Sequence, residues 1–161
     1  MEYISTRNKN LKNNFKDIFL RGLAPDGGLF IPKNLKRYSN AEIKKLSSMS
    51  YIDLATEIII NFCSPTFEKN KLKNLIGKSY KNFTTKEVIK VKKFGNLNLI
   101  ELYHGPTLAF KDIAMQVLGN MYDELNISSN NTINIIVATS GDTGSAAIAA
   151  LNDRKNINVF V

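Results

Sequence analysis

A single lysine at the start of a strongly periodic apolar stretch is the residue of this sequence best placed to do chemistry. Residues 104–112 read His-Gly-Pro-Thr-Leu-Ala-Phe-Lys-Asp, and apolar residues then recur from Phe110 to Leu125 with the period that predicts an amphipathic helix. The preceding Gly-Pro-Thr is a turn, with Thr107 as the predicted cap. Lys111 would lie at the positive end of this helix, where a cation is unfavourable for stability. An amine placed there indicates a nucleophile or a covalent anchor.

A second run, residues 138–145, has the residue types of a ligand-binding loop. It reads Ala-Thr-Ser-Gly-Asp-Thr-Gly-Ser and lies between a predicted buried strand at 133–139 and a predicted helix at 144–151, where a parallel sheet places its ligands. Glycines allow a ligand to approach closely, N–H groups at the helix start face it, and hydroxyls add donors at Thr139, Ser140 and Thr143. The run suits a carboxylate or a phosphate. The same residue types also cap ordinary helices, which leaves a plain capped loop equally open.

The order of elements around this run predicts the fold class. Strand 133–139, helix 144–151 and a second strand at 157–161 form a βαβ unit, and such a crossover requires parallel strands. We therefore expect an α/β fold with a layered parallel sheet. Because domains rarely stop where such a strand begins to pair, we expect the chain to be the N-terminal part of a longer protein. Upstream, the patterns predict helices near 11–21, 40–47, 50–62 and 65–76, and strands near 3–6, 87–91 and 97–103.

Two other motifs in the same residues lack the context that their chemistry needs. The run Asp-Thr-Gly-Ser at 142–145 matches aspartic proteases, but an Ala-rich helix follows it here. Those enzymes need all-β surroundings and a second carboxylate nearby. A phosphate-binding P-loop would need Gly-Lys-Ser or Gly-Lys-Thr at a fixed spacing, and that is absent from the sequence.

The lone histidine and the lone cysteine predict no separate catalytic centre. His104 has no evident partner in the sequence, so we expect it to pack or to form a hydrogen bond beside Lys111. Cys63 follows an apolar helix and is expected to fill core space. No group of His, Cys, Asp and Glu has metal-ligand spacing, so no metal is predicted.

Composition places the chain among ordinary globular proteins. It has 161 residues, 43% hydrophobic and 22% charged, with a net charge of +8, so one compact domain is the default. The lysines are scattered and are not interleaved with aromatic residues, so no nucleic-acid partner is predicted. We see no membrane span and no secretory signal. With a single cysteine excluding an internal disulfide, the cytoplasm is the expected location.

Four stretches of the chain, taken together, resemble the threonine synthase family, of the branch found in bacteria and fungi. They are Tyr-Ile-Ser-Thr-Arg at 3–7, Gly-Leu-Ala-Pro-Asp-Gly-Gly-Leu-Phe-Ile-Pro at 22–32, Glu-Leu-Tyr-His-Gly-Pro-Thr-Leu-Ala-Phe-Lys-Asp at 101–112 and Ala-Thr-Ser-Gly-Asp-Thr-Gly-Ser-Ala-Ala at 138–147. Ordered matches of this kind are far more specific than any one motif. They extend over the whole chain but well under half of a family member.

The resemblance implies a three-layer parallel-sheet fold of the tryptophan-synthase-β-like type, with pyridoxal 5'-phosphate as cofactor. The lysine of the family's Phe-Lys-Asp motif holds the cofactor as a Schiff base, a role that carries over to Lys111, with Phe110 as its cofactor-binding neighbour. The second loop touches the ring hydroxyl of the cofactor through Asp142, which replaces the wider fold's Asn. It binds the substrate carboxylate through Thr139, Ser140, Gly141 and Thr143.

The family also implies a division of the chain and a location for the missing parts. Residues 1–95 would be a largely helical N-terminal region, and 96–161 would begin the catalytic α/β region. The glycine-rich cup for the cofactor phosphate and the partner of the ring nitrogen would lie beyond Val161, so this piece alone is expected to be inactive.

The implied reaction converts O-phospho-L-homoserine and water to L-threonine and phosphate, with a phosphorylated amino acid as the small-molecule partner. A threonine-synthase-like phospho-lyase that forms 2-oxobutyrate from the same substrate is an alternative. A third possibility is a non-catalytic interaction module that keeps the fold. The oligomeric state is left open.

Overall fold

The computed structural model describes residues 1–127, 132–139 and 141–161. These residues form two compact units, Met1–Asn74 and Leu75–Val161. The strands are β1 (Tyr3–Ser5), β2 (Lys12–Asn13), β3 (Phe30–Pro32), β4 (Lys90–Phe94), β5 (Leu97–Glu101), β6 (Ile133–Ile136) and β7 (Ile157–Phe160). The helices are α1 (Phe15–Arg21), α2 (Asn40–Leu46), α3 (Tyr51–Cys63), α4 (Lys69–Ser79), α5 (Asp112–Asn126) and α6 (Asp142–Leu151).

Strand β1 is the centre of the first unit. It pairs antiparallel with β2 on one side and with β3 on the other, which brings the motifs at 3–7 and 22–32 together. The Asp26 carboxylate accepts hydrogen bonds from the Ser5 hydroxyl at 2.8 Å and from the Gly28 N–H at 2.9 Å. The bond from Gly28, and then the bond from Ser5, hold the pKa of Asp26 below its usual range. The 22–32 loop therefore closes this small sheet.

Helix starts in the first unit follow their capping side chains. The predicted helix at 11–21 begins only at Phe15, because Lys12–Asn13 pairs with β1 and the Asn14 side chain accepts the Asp17 N–H at 3.0 Å. Ser39 and Glu42 form a capping box at α2. Ser50 caps α3, where its side chain accepts the Asp53 N–H.

An antiparallel hairpin, β4–β5, lies in the second unit. Its turn contains Gly95 in the left-handed region, with a φ of 57°. The strand expected at 87–91 begins later, at Lys90, because buried Val88 has a φ of 64° and bends the chain before it. The apolar side chains of the hairpin are mostly exposed, namely those of Val91, Phe94, Leu97, Leu99 and Ile100.

The βαβ element predicted at the end of the chain is present in the second unit. Strands β6 and β7 are parallel, with Ile133 opposite Ile157, and α6 connects them. A buried cluster of Ala147, Ala150, Leu151 and Ile157 forms the core between helix and strands. The predicted helix at 65–76 begins later, at Lys69, and ends at Ser79, because the Leu72 N–H donates to the Glu68 carbonyl at 2.9 Å. No described helix has the length and apolar character needed to span a membrane.

Helices α5 and α6 approach each other closely at a glycine. A Cβ placed on Gly119 would lie 2.5 Å from the backbone oxygen of Ala150 and 3.0 Å from the guanidinium of Arg154. Arg154 pairs with Asp123 and donates to the Asn120 side chain at 3.2 Å. The Asn126 amide donates to the Asn156 carbonyl at 3.4 Å. These contacts join the middle and the carboxyl end of α5 to the end of α6 and to the residues that follow it.

The predicted domain boundary at residue 95 stays a prediction. The two compact units divide between Asn74 and Leu75, and helix α4 crosses that position.

We predict that Gly119→Ala destabilises the protein by up to about 2 kcal/mol. Overpacking against a backbone atom typically costs about 1–3 kcal/mol, while alanine is favoured over glycine in a helix by about 1 kcal/mol. Urea unfolding would measure the change. Gly141→Ala is the matched control, because a Cβ there meets nothing within 4 Å; equal midpoints for the two variants would contradict the close packing.

Candidate active site

The lysine loop, residues 105–111, is held by the carboxylate of Asp112. This side chain is 0% exposed. It accepts hydrogen bonds from the Thr107 N–H at 2.8 Å and from the Thr107 hydroxyl at 2.7 Å. The predicted cap is therefore wrong: α5 begins at Asp112, its N-cap is Lys111 without a side-chain cap bond, and Thr107 serves Asp112 instead of the helix end.

Two further features shape this loop. Gly105 lies so close to Asp112 that a Cβ on it would be 2.4 Å from the Oδ2 atom of that carboxylate. Leu108 has a φ of 62°, in the left-handed region that a bulky residue seldom adopts. A sharp turn at Leu108 and a close approach at Gly105 let the chain fold back over the buried carboxylate.

The amine of Lys111 is free of ionic partners within the described residues. Its Nζ atom lies 4.2 Å from the ring centroid of Phe110, and that ring is 56% exposed. The neighbouring Asp112 carboxylate is occupied by Thr107 and does not pair with the amine. The loop thus presents an uncompensated primary amine on an aromatic face.

The second predicted site is the start of α6 and the residues before it. The helix begins at Asp142, two residues earlier than expected, and has no side-chain cap bond. Its first-turn N–H groups are therefore open to an anion. Thr139, Gly141 and Asp142 are exposed and Thr143 is half-buried, and the Gly141 N–H donates to the Thr139 hydroxyl at 3.4 Å. Ser140 lies outside the described residues.

Close packing fixes where this second site begins. A Cβ on Gly144 would lie 2.7 Å from Cγ1 of Val161 and 2.8 Å from Cγ2 of Thr139. The first turn of α6 therefore packs directly on the chain just before it and just after β7.

A buried carboxylate, Glu101, is the part of this region that sequence reasoning missed. It bonds to Lys92 Nζ at 2.5 Å and to His104 Nε2 at 3.1 Å. Hydrogen bonds from Lys92, then from the Tyr103 hydroxyl and from His104, lower the pKa of Glu101 to about 2. The backbone oxygen of His104 accepts the Thr84 N–H at 2.9 Å, so the entrance to the lysine loop is fixed on both sides.

The sequence contained a weak signal for this cluster. Glu101 precedes His104 by three residues. The hairpin register places Lys90 opposite Glu101, and Lys92 lies two residues after Lys90, on the same face of the strand. Only the register shows that Lys92 and Glu101 lie on one face of the hairpin. The expected hydrogen bond of His104 beside Lys111 is present, with Glu101 as its partner.

Acid should destabilise the wild-type protein partly through Glu101. A carboxyl whose pKa falls from 4.5 to about 2 on folding contributes stability above pH 4.5 that is lost as the pH falls towards 2. Glu101→Gln should therefore be less stable than wild type at pH 7, with the difference shrinking by pH 3. Urea unfolding at each pH would measure this. Glu87→Gln, at an exposed position, is the control, and a pH-independent difference for Glu101→Gln would contradict the assignment.

Comparison with known proteins agrees with the fold and with the order of the motifs. Residues 2–80 match the family model described as threonine synthase N terminus. The whole chain is 39% identical to a Pseudomonas aeruginosa threonine synthase and 37% identical to a Xenopus laevis protein named threonine synthase-like 2, and it spans 34% of each relative. The chain is thus about a third as long as these curated relatives.

Solved structures give the same result. A Brucella melitensis threonine synthase with PLP bound aligns with 99% of this chain at a TM-score of 0.91 and 36% identity, and 34% of its own chain is covered. The yeast threonine synthase aligns with 98% of this chain, also at a TM-score of 0.91 and 36% identity. The predicted α/β fold class is confirmed by these alignments. Over its full length, the chain is similar in sequence and in fold to threonine synthases.

Proposed function

We propose that the protein is a pyridoxal 5'-phosphate enzyme and that Lys111 is its covalent anchor. The observation that carries this proposal is the unpaired amine of Lys111, presented by a loop whose own carboxylate is fully engaged elsewhere. The Brucella melitensis relative was solved with PLP bound, which supports the same cofactor here. When bound, this cofactor withdraws electrons from the bonds around the α-carbon of an amino acid.

The residues present fit such a cofactor. An amine must lose its proton before it can form a Schiff base with a carbonyl group, and a carboxylate paired with the ammonium form would oppose that loss. Within the described residues, Lys111 has no such carboxylate partner. The exposed ring of Phe110 beside it offers an apolar surface. The uncapped start of α6 offers N–H donors, and the exposed carboxylate of Asp142 lies in the same turn, where it would contact the ring hydroxyl.

We assign the remaining roles to the second loop and to the freed lysine. Thr139, Gly141, Thr143 and the N–H groups of the first turn of α6 would bind the substrate carboxylate, an arrangement suited to an anion. Ser140 belongs to this set by sequence. The Lys111 amine, when it is not attached to the cofactor, would move protons at the α- and β-carbons of the substrate.

The reaction that we propose for the complete protein converts O-phospho-L-homoserine and water to L-threonine and phosphate. The substrate is accordingly a small phosphorylated amino acid. Similarity to threonine synthases over the full length of the chain supports this assignment. We place the start of the catalytic region at residue 96, after an N-terminal region of residues 1–95, and the site of action in the cytoplasm.

A phospho-lyase that gives 2-oxobutyrate from the same substrate is the second candidate. It is kept because the relative named threonine synthase-like 2 is 37% identical, close to the 39% of the Pseudomonas aeruginosa threonine synthase.

Replacing Lys111 by Ala should abolish covalent attachment of the cofactor in the complete protein. Borohydride reduction of the cofactor-loaded protein followed by peptide mapping would show the label on the peptide that contains Lys111 in wild type and no label in the variant. Lys90→Ala is the control, because Lys90 lies on the hairpin and not in the lysine loop. A label at another lysine in Lys111→Ala would disprove the assignment.

Product analysis should separate the two candidate reactions. With O-phospho-L-homoserine as substrate, we expect threonine and phosphate in equal amounts. Accumulation of 2-oxobutyrate with little threonine would instead assign the protein to the phospho-lyase. Release of neither product by cofactor-loaded protein would favour the non-catalytic module.

A further inference from the structure

We propose that Asp112 is a positioning residue, which holds the lysine loop in the conformation that presents Lys111 for covalent attachment. The device consists of the buried Asp112 carboxylate, its two bonds to Thr107, and the close approach of Gly105. This inference rests on the proposed function and names the groups that make the same site work.

The hydrogen bonds of the Asp112 carboxylate are made to the loop and not to the end of its own helix. An acidic residue in the first turn of a helix ordinarily stabilises the helix end and remains near solvent. Asp112 instead is 0% exposed and uses both carboxylate oxygens on one loop residue, Thr107, five positions earlier. Burying a carboxylate is unfavourable unless its bonds are satisfied, so residues 107 and 112 are held at a fixed separation.

The backbone is hydrogen-bonded on both sides of Lys111. On the helix side, the Lys111 carbonyl oxygen accepts the Met115 N–H at 2.9 Å. On the loop side, the Asp112 N–H donates to the Ala109 carbonyl at 3.0 Å, and the Asp112 side chain holds Thr107. The lysine backbone lies between two anchored points, so the direction of its side chain depends on both.

The loop contains a strained backbone position at Leu108. Leu108 has a φ of 62° and is 67% exposed, so its own packing does not compensate for an unfavourable backbone conformation. The two bonds from Thr107 to Asp112, and the bond from the Leu108 N–H to the Gly105 carbonyl at 3.2 Å, hold this turn in place. Without them, we expect the turn to relax and the amine to sample other directions.

The test uses three variants of the complete protein. Thr107→Val removes the hydroxyl at nearly constant shape, whereas Thr107→Ser keeps it. Asp112→Asn keeps the size of the side chain but removes its charge and replaces one of the two acceptor oxygens by an NH2 donor. Each protein is loaded with pyridoxal 5'-phosphate, and two quantities are measured: the dissociation constant of the cofactor and the rate at which borohydride fixes it on the peptide containing Lys111.

Two control variants separate positioning from stability. Asp53→Asn makes the same chemical change in the first turn of α3, where Ser50 and Asp53 are bonded at 2.7 Å. Leu151→Ala removes a buried side chain from the core of the second unit and destabilises that unit without touching the lysine loop. Urea unfolding of every variant ranks them by stability.

We expect Thr107→Val and Asp112→Asn to slow fixation at residue 111 by at least tenfold, with Thr107→Ser within about twofold of wild type and both controls unchanged. Fixation at the wild-type rate in Thr107→Val overturns the inference, even if Asp112→Asn does not fold. Equal slowing by Leu151→Ala overturns it as well, because loss of stability would then suffice. If wild-type protein is not labelled at Lys111 at all, the proposed function itself has failed, a result distinct from these.

Discussion

The buried carboxylate of Asp112 is the constraint on which the site depends. A carboxylate removed from water must find donors in its immediate surroundings, and here both come from Thr107. Satisfying that requirement ends the loop and starts helix α5 at one residue. It also leaves the adjacent amine of Lys111 without its nearest possible counter-ion. The same bonds that order the loop therefore keep its amine chemically available.

Small residues allow close packing within the second unit. Gly119 brings α5 against the backbone of Ala150 in α6, and Gly144 brings the start of α6 against Val161, just after β7. Helix α6 is the crossover between the parallel strands β6 and β7. The uncapped start of α6 therefore has a fixed place against the chain on either side of it. A larger side chain at Gly119 would move the two helices apart.

Sequence reasoning succeeded where a pattern repeats and failed where a single contact decides. The periodicity after Phe110 predicted α5, and the family resemblance predicted the fold that the solved relatives confirm. The cap assigned to Thr107 was wrong, because the residue types of a cap also suit a loop that bonds a buried acid. Glu101 was missed since its partners meet only through the register of a hairpin. The roles of Lys111 and of the second loop remain predictions.

The contacts that shape the lysine loop are short in sequence. Gly105, Thr107 and Asp112 lie within eight positions of one another. The loop-closure entropy of so short a segment is small, and loops of about ten residues close in roughly 10–100 ns. These contacts can therefore be sampled as soon as the residues leave the ribosome, because translation proceeds at only about 5–20 residues per second. They become stable when the second unit packs around the Asp112 carboxylate and removes it from water.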